Sequence, residues 1–265
     1  MKAAYANGVL AAFEEVGYQP WDTVYGTSAG GALAAWYSAG QAAYAWGTWD
    51  FARDPTILSY RRWLLRQGPL LDHELLLDRV YQKDMPLDIE ALRMSRWPVI
   101  VTASDVDSGQ PKYHDLRAGG AIEWLKATGR LPFASGDPVT IEGRRYLDGG
   151  ITDPIPIQKA VADGHARITL VLNTWGETRR DAAFLARITA RRYPHLADGI
   201  LRHEAIKGEA VAFARDPPEG VSVQILHPTR PTGLHRLSRD EGAIRAALEQ
   251  GHAEALATLG RSGND

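Results

Sequence analysis

Two residues in this chain of 265 stand in settings that covalent chemistry requires. Ser28 is the centre of Gly26-Thr27-Ser28-Ala29-Gly30, a G-x-S-x-G spacing in which glycines let a serine occupy a strained turn from strand to helix. In a chain of this glycine and serine content such a match arises by chance at a rate of roughly 0.1, so its context decides. Thr23-Val24-Tyr25 reads as a strand, and Gly31 to about Ala39 as a small-residue helix closed by Gly40. A serine hydroxyl is a poor nucleophile until a base takes its proton. Asp148 ends a strand and precedes Gly149-Gly150, where the backbone can turn sharply; alone, that tripeptide reads as a plain turn. His227, between a strand and Pro228, is the histidine best placed for a Ser-His-Asp triad, although an ordinary strand-end position accounts for it too. The α/β-hydrolase topology does not fit, because residues 1–27 offer room for one helix and one strand before Ser28, where that fold has several strands.

The elements that must position these residues follow from periodicity. Tyr5, Val9, Leu10, Phe13 and Val16 make one helical face, with Gly17 as its stop. Asp72 can cap a helix through Leu75, Leu76 and Val80. Trp97 to Ala103 is a buried strand, Asp107-Ser108-Gly109 a turn into a short strand around Lys112-Tyr113, and 139–147 a hairpin about Glu142-Gly143 that ends at Asp148. Pro156 starts a helix to about Asp163, Ile168 to Leu172 is a second buried strand, and Val221 to Leu226 a last one before a helix from about Asp240. Alternating strands and helices predict an α/β fold: a three-layer α/β/α sandwich with a mostly parallel central sheet. The expected organisation is one domain over 1–265, a motif-bearing core at 1–173 with a mostly helical part at 174–265 packed on it.

Composition narrows the function. Thirty basic and 32 acidic residues leave a net charge of −2, with no positive excess to neutralise phosphates, so a nucleic-acid partner is not expected. There is no cysteine, hence no disulfide, thiolate nucleophile or cysteine-based zinc site. The histidines show no metal-ligand spacing, and neither metal nor cofactor is expected. No run approaches the ~20 apolar residues that span a bilayer, and Asn7, Gly8, Glu14 and Glu15 interrupt a signal-peptide core. A cytoplasmic protein, in peripheral contact with membrane at most, is the expectation. Residues 36–65 carry four of the eight tryptophans, with Arg61 and Arg62. The stretch reads as an acyl pocket, a lipid-facing surface or plain helix packing. The arginines from Arg179 to Arg202 read as a solvated helix face.

Three segments resemble the patatin-like phospholipase family, especially its bacterial members: Gly26-Thr27-Ser28-Ala29-Gly30-Gly31, Ala127-Thr128-Gly129-Arg130-Leu131-Pro132, and Tyr146-Leu147-Asp148-Gly149-Gly150 with the turn through Asp153-Pro154-Ile155-Pro156. The resemblance covers residues 1 to about 173. It implies Ser28 as nucleophile and Asp148 as its proton acceptor in a Ser–Asp dyad that needs no histidine. Gly26, Ala29, Gly30 and Gly31 would form the elbow and its oxyanion donors, and Gly149 and Gly150 the turn after the base. The implied activity is hydrolysis of glycerolipid or phospholipid acyl esters through an acyl-enzyme. The alternatives are an esterase or thioesterase for small soluble substrates and a catalytically weak lipid- or partner-binding protein.

The departure from the family pattern is at the front. Lys2 stands where an arginine is common and Ala3 where a glycine is usual. The family's glycine-rich oxyanion loop and the strand before it would precede them. The strand at 23–25 is therefore expected to have an unpaired neighbour position, and the Ala29 amide with its helix to supply the remaining donors. Extension upstream by roughly 10–15 residues, a strand plus a loop, is expected to raise both the thermal midpoint and ester turnover, measured side by side. Equal values for the two forms would contradict this.

Overall fold

The computed structural model of this protein describes residues 1–174, 183–235 and 238–262. It is a mixed α/β fold with a central five-stranded sheet and flanking helices. The strands of that sheet are β1 (Val24–Thr27), β2 (Val99–Asp105), β3 (Pro111–Asp115), β4 (Val139–Ile141) and β5 (Arg144–Asp148). Only β1 and β2 are parallel; β2–β3, β2–β5 and β4–β5 are antiparallel. The expectation of a mostly parallel central sheet is thus corrected. Its source is the two hairpin-like returns after β2 and β4, whose Gly109 and Gly143 turns take positive φ and reverse the chain within a few residues. β6 (Arg167–Val171) and β7 (Ser222–Leu226) pair in parallel as a separate two-stranded sheet.

β2 organises the central sheet. Its run Val99-Ile100-Val101-Thr102 is β-branched and, with Ala103, almost wholly buried, as a strand covered on both faces requires. Ile100 to Thr102 pair with both β1 and β3, whereas Ala103 and Ser104 pair with both β3 and β5. A strand has two edges, so β1 and β5 share the edge opposite β3. They run toward each other along it. Thr27 ends β1 opposite Thr102, and Asp148 ends β5 opposite the next residue, Ala103. Among the described residues no strand pairs with the outer edge of β1.

The first helix, α1 (Ala4–Glu15), buries Tyr5, Val9 and Phe13 of the expected face, whereas Val16, expected on that face, caps the helix end and is exposed. Helix α2 (Ala29–Ser38) starts two residues earlier than the small-residue pattern suggests, directly after Ser28. The Asp72-capped helix forms at His73–Leu75 and continues to Asp84 with wider winding. Residues 36–65 divide. Trp36 and Tyr37 are buried in the core, whereas Tyr60, Trp63, Leu64 and Leu65 are exposed. Of the arginine face, Arg179 and Arg180 lie outside the described residues; Arg187, Arg191, Arg192 and Arg202 are solvated.

The terminal helix Glu241–Ser262 packs on α1 with almost no space between backbones. A Cβ on Gly8 would come within 2.0 Å of the Leu248 carbonyl oxygen, and one on Gly251 within 2.0 Å of the Tyr5 carbonyl oxygen. Two glycines thus fix the separation, and neither backbone can yield without moving a helix. Gly8→Ala is expected to destabilise by about 2 kcal/mol or more through overpacking, lowering the thermal midpoint by roughly 4 °C or more. Gly208→Ala, in an exposed helix with open space about its Cα, is expected to raise stability by about 0.5–1 kcal/mol. Thermal melts of the two variants test the contrast.

Candidate active site

The head-on meeting of β1 and β5 puts the two sequence-predicted residues in contact. Ser28 Oγ donates to Asp148 Oδ2 at 2.7 Å, across 120 sequence positions. That is the short range of hydroxyl-to-carboxylate bonds. The juxtaposition does not come from two parallel strand ends, since β5 runs against β1 and β2. It comes from β5 stopping one residue beyond the level at which β1 stops.

Each partner is fixed by its backbone. Ser28 has φ +56° and ψ −128°, a region that residues with a Cβ rarely occupy. Gly26 is required because a Cβ there would sit 2.5 Å from the Gly30 carbonyl oxygen and 2.6 Å from the Gly31 Cα. Gly31 is tight against Val101, Thr128 and the Gly26 carbonyl, at 3.1–3.3 Å from an ideal Cβ. Helix α2 therefore lies on the sheet at a distance that only small residues permit. Gly30, by contrast, has nothing within 4 Å of such an atom, so this position opens onto free space beside Ser28.

Asp148 is 4% exposed. Its Oδ1 accepts the Gly150 N–H at 2.7 Å, leaving Oδ2 aimed at Ser28. Its main-chain N–H donates to the Arg130 carbonyl at 2.9 Å, and its carbonyl accepts from Ser104 Oγ at 2.8 Å. Gly149 is obligatory: a Cβ would lie 2.1 Å from the Thr102 carbonyl oxygen. His203 Nδ1 is 2.8 Å from the Gly150 carbonyl oxygen, and His203 lines the same cavity as Ser28.

The amides at the start of α2 divide into used and open. Gly31 N–H donates to the Ser28 carbonyl, so Gly31 belongs to the elbow and offers no donor to a substrate. This corrects its place among the expected oxyanion donors. The Ser28 N–H donates to Thr128 Oγ1 at 2.9 Å. Among the described residues, nothing accepts from the Ala29 and Gly30 N–H groups. They form the positive end of a ten-residue helix, where negative charge is favoured.

Sequence reasoning did not single out Thr128 or His203. Thr128 was legible only as a small residue in the segment before Pro132; its hydroxyl donates to the Thr102 carbonyl while accepting from Ser28, joining β2 to the elbow. His227 does not line the Ser28 cavity; its Nδ1 is 3.1 Å from the Pro228 carbonyl oxygen. Among the described residues no group of histidines and carboxylates could hold a metal.

Ser28, Asp148 and Gly30 open on a cavity of about 1500 Å³. Its wall is largely apolar and includes Leu10, Leu33, Ile57, Leu77, Leu125 and Phe133. Val24 to Thr27 and Ile168 to Leu172 also line it, so the open edge of β1 and the strand β6 face the same space. His73 borders it too, and burial, with the neighbouring Arg130 charge, lowers its imidazole to about 4. It is neutral near pH 7 and adds no cation to the wall.

Comparison with known proteins bears on this arrangement. Residues 1–161 match the family described as Patatin-like phospholipase. Over 276 aligned positions the chain is 24% identical to an uncharacterized protein of Escherichia coli (strain K12), YjjU, covering 98% of this chain and 75% of that one.

Thr128→Val keeps the volume and removes both of its hydrogen bonds. The Ser28 N–H then loses its acceptor, which is expected to cost about 1–3 kcal/mol of stability. Thr128→Ser, which keeps the oxygen, is expected to recover most of that loss in a thermal melt.

Proposed function

The chain belongs to the patatin-like phospholipase family, and on that premise we propose that it is a lipid acyl hydrolase working through Ser28 and Asp148. The observation that carries this reading is the 2.7 Å bond from Ser28 Oγ to the buried Asp148 carboxylate. A positioned carboxylate within that reach can act as general base for a hydroxyl. Ser28 Oγ attacks the ester carbonyl carbon as its proton passes to Asp148 Oδ2. The developing oxyanion turns toward the open N–H groups of Ala29 and Gly30. Collapse of the tetrahedral adduct breaks the ester bond, and Asp148 returns the proton to the leaving alkoxide. Water then attacks the acyl-enzyme, gives its proton to Asp148, and releases the fatty acid as Ser28 recovers its hydrogen.

The largely apolar cavity beside the pair supports a fatty-acyl substrate over a small polar ester. Its volume exceeds the roughly 300–1,000 Å³ of ordinary small-molecule sites, and the Cβ-free face of Gly30 leaves an approach to Ser28. With Oδ1 committed to Gly150, Asp148 cannot swing from Ser28 without losing a bond to a buried N–H. This is preorganisation of the base, made by a glycine turn.

Ser28→Ala and Asp148→Ala are each expected to lower ester turnover by about 10³-fold or more, with the double variant little worse, because such residues act as a unit. His227→Ala is expected to stay within about twofold of the parent, since no step passes through it. A short-chain chromogenic ester is the substrate for all four. Retained turnover in Ser28→Ala, or loss in a folded His227→Ala, would contradict the dyad.

A further inference from the structure

The exposed part of the aromatic stretch is a built feature. Ser59 caps the short helix Tyr60–Leu64 by accepting the Arg62 N–H. Arg62 points inward and donates to the carbonyls of Thr56, Ile57 and Pro69, clamping the two ends of the loop together. Leu58 and Leu71 pair as an isolated antiparallel bridge at its base, and the Leu71 N–H donates to the Ala134 carbonyl. The loop is thus anchored to the segment that carries Phe133 and follows Arg130. On this clamped base Tyr60, Trp63, Leu64 and Leu65 are 48, 40, 77 and 52% exposed. Four large apolar side chains within six residues form a contiguous patch of the kind that marks an interaction surface.

Two further observations select the partner. Between Asp54 and Asp72 there are three arginines and no carboxylate; Arg62 is spent on the clamp, while Arg61 and Arg66 are exposed beside the patch. Cationic groups flanking exposed tryptophan, tyrosine and leucine suit the boundary of an anionic bilayer, where aromatic rings settle at headgroup level and arginines meet negative lipid. The patch is also continuous with the cavity, because Trp63 and Phe133 line the space that Ser28 borders. A surface seated there would present lipid directly to the cavity mouth.

We propose that the clamped loop Ser59–Leu70 is a membrane-docking foot that seats the cavity mouth on an anionic lipid surface. The inference rests on the lipid-hydrolase reading for its purpose, but its test does not depend on turnover of lipid. The protein used is Ser28→Ala, so that vesicles stay intact. It is mixed with phosphatidylcholine vesicles with or without about 30% phosphatidylglycerol, and partition is read by co-sedimentation. Binding to the anionic vesicles and its weakening by salt are expected. Leu64→Asp/Leu65→Asp in that background is expected to weaken partition by about tenfold or more, and Arg61→Gln/Arg66→Gln to remove the preference for anionic vesicles.

The Leu64→Asp/Leu65→Asp pair on an otherwise unchanged chain is expected to keep short-chain ester turnover within about twofold, because neither leucine lines the cavity. No binding to anionic vesicles, or binding unchanged by the paired leucine variant, overturns the proposal. A dimer in gel filtration that the leucine pair converts to monomer, without vesicle binding, overturns it in favour of a protein interface. Failure of the dyad would show separately, as retained ester turnover in Ser28→Ala.

Discussion

One edge of β2 carries two strands that meet end to end, and the site depends on that arrangement. β1 comes up the edge in parallel and leaves it at Thr27; β5 comes down it antiparallel and leaves at Asp148. Adjacent residues of a strand are about 3.3 Å apart along its axis, so the two departing chains have little room. Each must turn off the edge within one residue. Ser28 does so at positive φ into helix α2, and Asp148 does so through Gly149, whose missing Cβ clears the Thr102 carbonyl. Strain at the serine and glycine at position 149 are two consequences of one collision avoided.

The hydrogen bonds around the pair follow the same geometry. Ser104 and Arg130 hold the main chain of Asp148, Gly150 holds one carboxylate oxygen, and Thr128 ties the Ser28 amide to the Thr102 carbonyl. All but Gly150 lie on β2 or on the helix and turn that precede the β4–β5 hairpin. The elbow and the base are therefore referred to the same strand, which keeps their separation near a hydrogen-bond length with no side chain between them. The Ala29 and Gly30 amides, first in the helix, are left facing the cavity.

Local chemistry made much of this legible from the sequence. Glycine spacing placed the elbow, the Glu142-Gly143 turn and Gly149-Gly150 bounded the second strand, and the buried run at 99–103 announced the strand between them. Family resemblance paired Ser28 with Asp148. The antiparallel hairpin at 139–147 was legible from its turn, but how it joins β2 was not, because a β-rich run carries no record of its non-local neighbour; hence the sheet is mixed where a mostly parallel one was expected. Gly31 was read as a donor from its place in the motif, but the amide is taken by the Ser28 carbonyl, which only the wound helix reveals. Likewise Trp36 and Trp63 share a residue type and a stretch of chain, yet Trp36 is buried from helix α2 while Trp63 stands exposed on a loop clamped by Arg62, which no periodicity encodes. Thr128 and His203 act through hydrogen bonds to main-chain groups distant in sequence, and composition is silent on those.

The most direct measurement of whether Asp148 activates Ser28 is labelling by a fluorophosphonate probe, read by mass spectrometry of the digested protein. Serine displaces fluoride from the probe only where its hydroxyl is activated. The expected result is a single adduct on the peptide containing Ser28, formed rapidly in the parent and slowed by about 10²-fold or more in Asp148→Asn, which keeps the shape of the side chain and removes its charge. An adduct on another serine, or undiminished labelling of Ser28 in folded Asp148→Asn, would contradict it.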